Sequence, residues 1–473
     1  MSKKIKFGTD GWRGVIADDF TGENVRLVAQ ATVNYFKQYE TPGQPIVIIG
    51  YDNRSQSEYF ALEAAKIAAA NGLQAVLSAQ SCSSPAVSFL VKLYHAKGGI
   101  MITASHNPPN FNGFKVKAFY GGAASPGVIA KVEAEVALLL QQQAAFPSSS
   151  EFKNSVKTED FRPSFLGQLA SLVDLDKIRE AGFKIVIDPM HGSGAGYLRT
   201  ILEGAGVPNV IEIRGDRNPI FGGVNPEPIV QNMAATFEAV LHYKADVAVV
   251  TDGDADRVGA ADSQGRFVDS HRIFAVVLKH LIEQRKWTGD VVKTLSTTQL
   301  INKLTAKYGR KLYETPIGFK YITDLMLETE ILIGGEESGG IGVSKHIPER
   351  DGVLLSLFIL EAMAFRGKKL EQLIDEIMGE FGDHEYDRVD LHPDVSRWDG
   401  IVAHLKDYQP ESFAGAKVKT VSKIDGTKII FDDESWILLR PSGTEPVVRV
   451  YAEASSREQV QQLLNEGTKI VNG

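Results

Sequence analysis

The chain predicts an α/β protein: three related α/β units followed by a smaller C-terminal α+β domain with an antiparallel sheet. Three observations carry this expectation. Short β-branched runs recur, each followed by a polar or Gly-rich loop and then a helical pattern, the signature of βα units. These runs come in pairs whose second member leads into an unusually charged loop. The segment from residue 385 onward changes character, alternating strands with tight turns.

The first members of the pairs are "IVIIGYDNRSQS" (46 to 57), "KIVIDPMHGSGAG" (184 to 196) and "DVVKTLSTTQLI" (290 to 301). The second members are "GIMITASHNP" (99 to 108), "DVAVVTDGDADR" (246 to 257) and "EILIGGEESGG" (330 to 340). Each special loop then falls at the carboxyl end of a strand, where open α/β sheets place their ligands. Between the pair members, Ser84 followed by Pro85 reads as an N-cap and first helical residue before "AVSFLVKLYHA". The Pro and Ser content of "AAFPSSSEF" (144 to 152) marks a linker after the helical "IAKVEAEVALLLQQQ". In the last domain "SSREQVQQLLNEGTKIV" closes the chain as a helix with a capping box formed by Ser455 and Glu458. Domains are expected over 1–150, 151–262, 263–384 and 385–473, in keeping with a chain of 473 residues and roughly 150 residues per domain.

A composition of 43% hydrophobic and 23% charged residues is that of a folded globular protein. The net charge of -8 argues against nucleic acid as a partner, since phosphate-backbone binders carry a basic surplus. Any anion must therefore meet local positive groups. The N-terminal "MSKKIKFGTDGWRG" has no apolar stretch and no run long enough to span a membrane occurs, so a cytoplasmic location without membrane partners is expected. Cys82 is the only cysteine, which removes intrachain disulfides and thiolate zinc clusters.

Four loops concentrate the chemistry. "TDGDADR" sets Asp252, Asp254 and Asp256 at alternate positions after an apolar run, and a turn can converge their oxygens on a hard cation such as Mg²⁺ or Ca²⁺. An EF-hand is excluded, because Arg257 and Ser263 stand where that loop needs Gly and Glu. The bland alternative is a solvated acidic turn, which three repelling carboxylates disfavour. "RPSGTEPVVR" joins Arg440, Ser442, Gly443 and Thr444 in a turn with Arg449 beyond it, a set of guanidinium, hydroxyl and amide donors suited to phosphate, or else a plain hairpin. "GGEESGG" offers Glu336, Glu337 and Ser338 between glycine pairs, for acid/base work or sugar hydroxyls, or as a flexible acidic turn. In "TASHNPPNFNGFK" Ser105 is followed by His106, with Lys115 ten residues on. Taken alone, that stretch makes Ser105 a turn serine rather than a nucleophile, and no GxSxG elbow is present.

The motifs "FGTDGWRG", "TASHNP", "DGDADR", "GEESGG" and "RPSGTEP", in that order from residue 7 to residue 449, resemble the α-D-phosphohexomutase family, most closely its phosphoglucomutase/phosphomannomutase group. The resemblance implies mixed sheets in three α/β domains, a C-terminal α+β domain and a central cleft. It implies a phosphorylated Ser105, one Mg²⁺ held by Asp252, Asp254 and Asp256 and touching that phosphoserine, and Arg13 near the phosphate. Glu336 and Ser338 would grip sugar hydroxyls, with Arg257 and Lys320 of "TPIGFKYI" nearby. Arg440, Ser442, Gly443, Thr444 and Arg449 would bind the phosphate not being transferred. Lys115 and His106 are the acid/base candidates, Lys115 being preferred for the sugar hydroxyl.

The implied activity interconverts glucose 1-phosphate and glucose 6-phosphate through glucose 1,6-bisphosphate. The alternatives are a hexose 1,6-bisphosphate synthase, which needs half of the same chemistry, and a phosphomannomutase. Glu337 in "EES" resembles glucose-preferring members, whereas Gly340 stands where dual-specificity members often have histidine. The nearby "SKHIPERDG" offers Lys345 and His346 in its place. A monomer or homodimer acting on small hexose phosphates is expected.

Overall fold

The computed structural model describes residues 5–8, 11–39, 41–143, 146, 155–443 and 446–472. Contacts divide the chain into two units, Met1–Gly289 with Gly318–Glu371, and Asp290–Ile317 with Gln372–Gly473.

The first unit begins with a mixed sheet of eight strands. Gln44–Tyr51, Ala96–Ile102, Gln74–Ser78 and Lys157–Glu159 run parallel, while Phe111–Ala118 and Gly11–Val15 join antiparallel at one side. The central strand "QPIVIIGY" is apolar over consecutive positions because helices cover both faces, as parallel strands require. Helix Gly22–Gln38 buries Val25, Val28, Val33 and Phe36 in the core beside the sheet and is capped by Thr21, whose hydroxyl accepts from Asn24 N at 3.2 Å. Trp12, Phe20 and Phe60 form an aromatic cluster with centroids 4.6 and 4.9 Å apart, anchoring the strand that carries Arg13.

A second mixed sheet of five strands follows in the order Val210–Glu212, Ile185–Asp188, Val247–Thr251, Val258–Asp262, Phe267–Val268. Ile331–Gly335 and Ile341–Val343 pair antiparallel around the "GEESGG" turn. Helix Gly352–Arg366, "GVLLSLFILEAMAFR", is apolar all round and accordingly buried; Asp351 caps it, its Oδ1 accepting from Val353 N and Leu354 N at 2.9 Å each.

In the second unit, Asp290–Thr294 pairs in parallel with Leu312–Thr315. A six-stranded antiparallel sheet, flanked by helices Trp398–Asp407 and Arg457–Asn472, buries Ile429, Ile437, Leu439, Val448 and Val450. The antiparallel C-terminal sheet and the mixed sheets before it agree with the predicted fold class.

Two caps differ from expectation by one residue. Ser83, not Ser84, caps helix Ser84–Leu93, accepting from Ala86 N at 3.2 Å. Ser84 turns its hydroxyl onto Asp254 instead. At the last helix Ser456, not Ser455, accepts from Gln459 N at 3.2 Å, and the Gln459 amide turns to Asp433 at 2.9 Å instead of closing a box. In both places tandem serines each satisfy the cap pattern, and only the chain direction decides between them. The linker expected over 144–152 lies outside the described residues except for Phe146, which packs on the first core. Among the described residues no helix is long and apolar enough to cross a membrane.

Ser456→Ala is expected to destabilise the C-terminal sheet and helix by about 1 kcal/mol, and Ser455→Ala by less than about 0.5 kcal/mol. Urea unfolding followed by the fluorescence of buried Trp436 checks this, and equal losses would return the cap to Ser455.

Candidate active site

Ser105 follows strand Ala96–Ile102 and sits in left-handed backbone, φ 51°, with 1% of its surface exposed. A non-glycine residue held there stores strain on the order of 1 kcal/mol or more, so something must hold it. Arg54 does so: its buried guanidinium donates to the carbonyls of Ser105 (2.6 Å), Asn107 (2.6 Å), Pro108 (2.7 Å) and Phe111 (3.1 Å). Asp52 lies 3.2 Å from Arg54 Nε and also accepts from Thr103 (2.6 Å) and Ser57 (2.7 Å). Burial lowers the pKa of Arg54, and the Asp52 charge opposes that shift.

The Ser105 hydroxyl donates to Asp252 Oδ2 at 2.8 Å, and His106 Nδ1 lies 3.4 Å from the same hydroxyl oxygen. Burial, and then the charges of Arg257, Arg13, Lys115 and Arg54, hold the imidazole well below the usual histidine pKa. Arg13 reaches this loop through Asn107, whose Oδ1 accepts from its guanidinium. The approach depends on Gly11: its φ of 114° favours glycine, and a Cβ there would lie 2.6 Å from the Phe114 carbonyl.

The turn after Val247–Thr251 gathers Asp252, Asp254 and Asp256, all buried, with one carboxylate oxygen from each within 4.8 Å of the others. Lys115 Nζ donates to Asp254 Oδ2 (2.9 Å) and Asp256 Oδ2 (3.1 Å), and Ser84 to Asp254. Burial, reinforced by Asp256 and Asp254, drives the Asp252 pKa well above the carboxylate range, although Arg257 and the Ser105 hydrogen bond oppose it. Asp256 Oδ1 is buried and accepts no hydrogen bond among the described residues. An all-oxygen donor set, mutually repelling and with a buried oxygen to spare, fits a hard divalent cation. The turn packs tightly against Ser105, since a Cβ on Gly253 would lie 2.5 Å from the Ser105 carbonyl.

Glu336 and Ser338 lie in the turn between Ile331–Gly335 and Ile341–Val343. Glu336 is buried, and burial raises its pKa to about 7, with Arg350 lowering and Glu337 raising it. Arg257 pairs with Glu227 at 3.0 Å, and its backbone N–H donates to Asp252 Oδ1 at 3.1 Å. Lys320 occupies the first turn of helix Phe319–Glu328, its ammonium 5.3 Å from the Tyr321 ring centre. Lys345 and His346 do not take the place open beside Gly340. His346 is buried, 3.2 Å from Asp351 and stacked on Phe89, and Lys345 lies 4.4 Å from the Trp287 ring centre. Arg350 fills that place instead, bonding Asp256 (2.8 Å) and Glu336 (3.1 Å).

The first unit thus brings Ser105, His106, Lys115, Arg13, Arg257, the three aspartates and, through Arg350, Glu336 into one connected set. In the second unit Arg440 and Arg449 stand directly opposite each other on strands Trp436–Pro441 and Val448–Ala454. Like charges in that relation repel, and an anion between them relieves the repulsion. Arg440 donates to Asp425 at 2.9 Å, Arg449 Nε lies 3.8 Å from Asp390, and Ser442 N donates to Val447 O at 2.7 Å. Gly443 is in the turn; Thr444 lies outside the described residues.

Sequence reasoning missed Arg54 and Arg350. Both sit in stretches it singled out, "YDNRS" and "SKHIPERDG", but their partners are remote in sequence.

Comparison with known proteins identifies the family of the chain. The profiles "Phosphoglucomutase/phosphomannomutase, alpha/beta/alpha domain I", domain II and domain III match residues 4–142, 163–265 and 269–381, and the C-terminal domain of the same family matches 400–469. The chain is 31% identical over 469 residues to a phosphoglucomutase/phosphomannomutase of Thermococcus kodakarensis, with 98% of each chain covered. It is 29% identical over 472 residues to a phosphoglucosamine/phosphogalactosamine mutase of Sulfurisphaera tokodaii, with 99% of each covered. A Thermus thermophilus crystal structure with a provisional phosphomannomutase name aligns at a TM-score of 0.86 and 35% identity, over 100% of both chains. With all four domain profiles matched in order, the chain belongs to the phosphoglucomutase/phosphomannomutase family of phosphohexomutases, isomerases that transfer a phosphoryl group within a hexose phosphate.

Proposed function

We propose that the enzyme interconverts glucose 1-phosphate and glucose 6-phosphate, with Ser105 carrying the phosphoryl group and glucose 1,6-bisphosphate as the intermediate. The observation that carries this reading is the Ser105 hydroxyl, buried in strained backbone and hydrogen-bonded to an aspartate of a three-carboxylate turn. A serine that only shaped a turn would not need that company.

Asp252, Asp254 and Asp256 would hold Mg²⁺, which when bound neutralises the carboxylates and polarises the phosphoryl group. In the first half-reaction the bond from phosphorus to Ser105 Oγ breaks as the sugar 6-hydroxyl oxygen bonds to phosphorus. The hydroxyl proton goes to His106. His106 is chosen over Lys115, preferred for that task on sequence alone, because His106 Nδ1 stands 3.4 Å from Ser105 Oγ, where the phosphoryl group is exchanged. In the second half the reoriented bisphosphate returns its 1-phosphoryl group to Ser105, and His106 gives its proton back to the oxygen at carbon 1.

Arg13 and Arg257 supply positive charge beside Ser105, Glu336 and Ser338 accept from sugar hydroxyls, and Lys320 borders them. Arg440, Ser442, Gly443, Thr444 and Arg449 bind the phosphate that is not transferred; the facing arginines support this. Glu337 supports glucose over mannose as the substrate.

Intact-mass measurement of the purified protein is expected to show one phosphoryl group that excess glucose 1-phosphate removes. Ser105→Ala should lower mutase turnover by about 10³-fold or more. In a panel of glucose, mannose, glucosamine and N-acetylglucosamine 1-phosphates with Mg²⁺, glucose 1-phosphate is expected to react fastest. Full activity in Ser105→Ala would end the phosphoserine reading, and a faster mannose reaction would end the glucose assignment.

Gly253→Ala places a methyl against the Ser105 carbonyl. A shift of about 1 Å at the nucleophile costs roughly 100-fold, so kcat should fall by that order while far-ultraviolet circular dichroism is unchanged. Wild-type kcat in this variant would show that the two loops need not touch.

A further inference from the structure

The reading of Glu336 as a sugar contact leaves open what aims its carboxylate. We infer that Arg350 is a positioning residue that ties the sugar loop to the cation loop, holding Glu336 in place from the notch left by the missing side chain of Gly340. The inference rests on the proposed function and deepens it.

Arg350 is 6% exposed, and its guanidinium divides between two loops. Nη2 lies 2.8 Å from Asp256 Oδ2 and Nη1 lies 3.1 Å from Glu336 Oε2. Arginine suits this bridge because its planar fork offers several donors at fixed angles; a lysine ammonium is a point charge that cannot span both carboxylates equally.

The fork is delivered from a rigid base. Arg350 N donates to Glu349 Oε1 at 3.1 Å, and Glu349 is itself held by buried Lys117 at 2.6 Å. The next residue, Asp351, caps the buried helix Gly352–Arg366, and its N–H donates to Ile341 O at 3.1 Å. Gly352 N donates to Ala255 O at 3.0 Å, tying the start of that helix to the cation turn. The Phe319 ring centre lies 5.7 Å from the guanidinium carbon and closes another side.

Gly340 is the complementary half of the device. A Cβ there would lie 2.3 Å from Arg350 Cδ and 3.2 Å from Glu336 Oε2. Any side chain at 340 must therefore push the arginine off its seat. Its φ is not in the left-handed region, so alanine is excluded by the arginine and not by the backbone. A methyl at 340 and the loss of Arg350 should then do the same thing to Glu336.

The test is calorimetric titration with glucose 1-phosphate and with mannose 1-phosphate, in Mg²⁺, of Ser105→Ala protein that cannot turn over. Arg350→Met and Gly340→Ala are added to it singly and together. Each is expected to weaken binding of the sugar phosphate that Ser105→Ala protein binds by about tenfold, the scale of a lost hydrogen bond to a charged group. The double variant should be weakened by the same factor and not by the product of the two, and Arg350→Lys should recover part of the loss. In proteins retaining Ser105, KM should rise more than kcat falls. In the counterparts that retain Ser105, its phosphorylation by added glucose 1,6-bisphosphate shows that each substitution at 340 or 350 leaves the protein folded. Unchanged affinity in Arg350→Met, or losses that multiply in the double variant, would overturn the inference while the proposed function stood. If Ser105→Ala protein binds neither sugar phosphate, the proposed function falls, and this inference with it.

Discussion

Asp252, Asp254 and Asp256 leave water together, and much of the first unit answers to that. Buried carboxylates with oxygens within 4.8 Å of one another repel strongly where solvent does not screen them. Lys115 donates to two of them, Arg350 to one, and the Ser105 hydroxyl and two backbone N–H groups to the third. Each side-chain donor comes from a different segment, so the aspartate turn is the point on which the loop after strand Ala96–Ile102, strand Phe111–Ala118 and the segment leading into helix Gly352–Arg366 converge.

The same logic explains why arginines do the scaffolding. A single Arg54 guanidinium bonds four carbonyls in and beside the "TASHNP" loop, that of Ser105 buried and the others part-buried. That lets the chain hold Ser105 at positive φ without glycine, which has no hydroxyl to offer. Arg54 and Arg350 thus have parallel roles, one fixing the backbone at Ser105 and the other joining carboxylates across a gap between loops.

What was legible in the sequence was local. Apolar runs marked the strands, the charged loops stood out at their carboxyl ends, and alternate aspartates after "VAVV" announced a convergent turn because three carboxylates in five residues have few other uses. The scaffolding arginines carried no such sign. Arg54 bonds carbonyls 51 to 57 residues away, and Arg350 meets Asp256 across 94 residues, separations at which no spacing rule operates. Helix caps failed for the opposite reason: Ser83 and Ser84, like Ser455 and Ser456, both satisfy the local rule. His346 shows the hazard of nearness in sequence, for it lies close to the sugar loop along the chain yet packs against Asp351 and Phe89.

The central claim is that the aspartate turn and Ser105 form one cation-dependent centre. Anomalous scattering from crystals soaked in Mn²⁺, a stand-in for Mg²⁺ with its own absorption edge, tests it most directly. The account predicts a peak bounded by oxygens of Asp252, Asp254, Asp256 and Ser105, with the Lys115 ammonium displaced from at least one carboxylate. A Mn²⁺ bound elsewhere, with Lys115 still joined to Asp254 and Asp256, would contradict it.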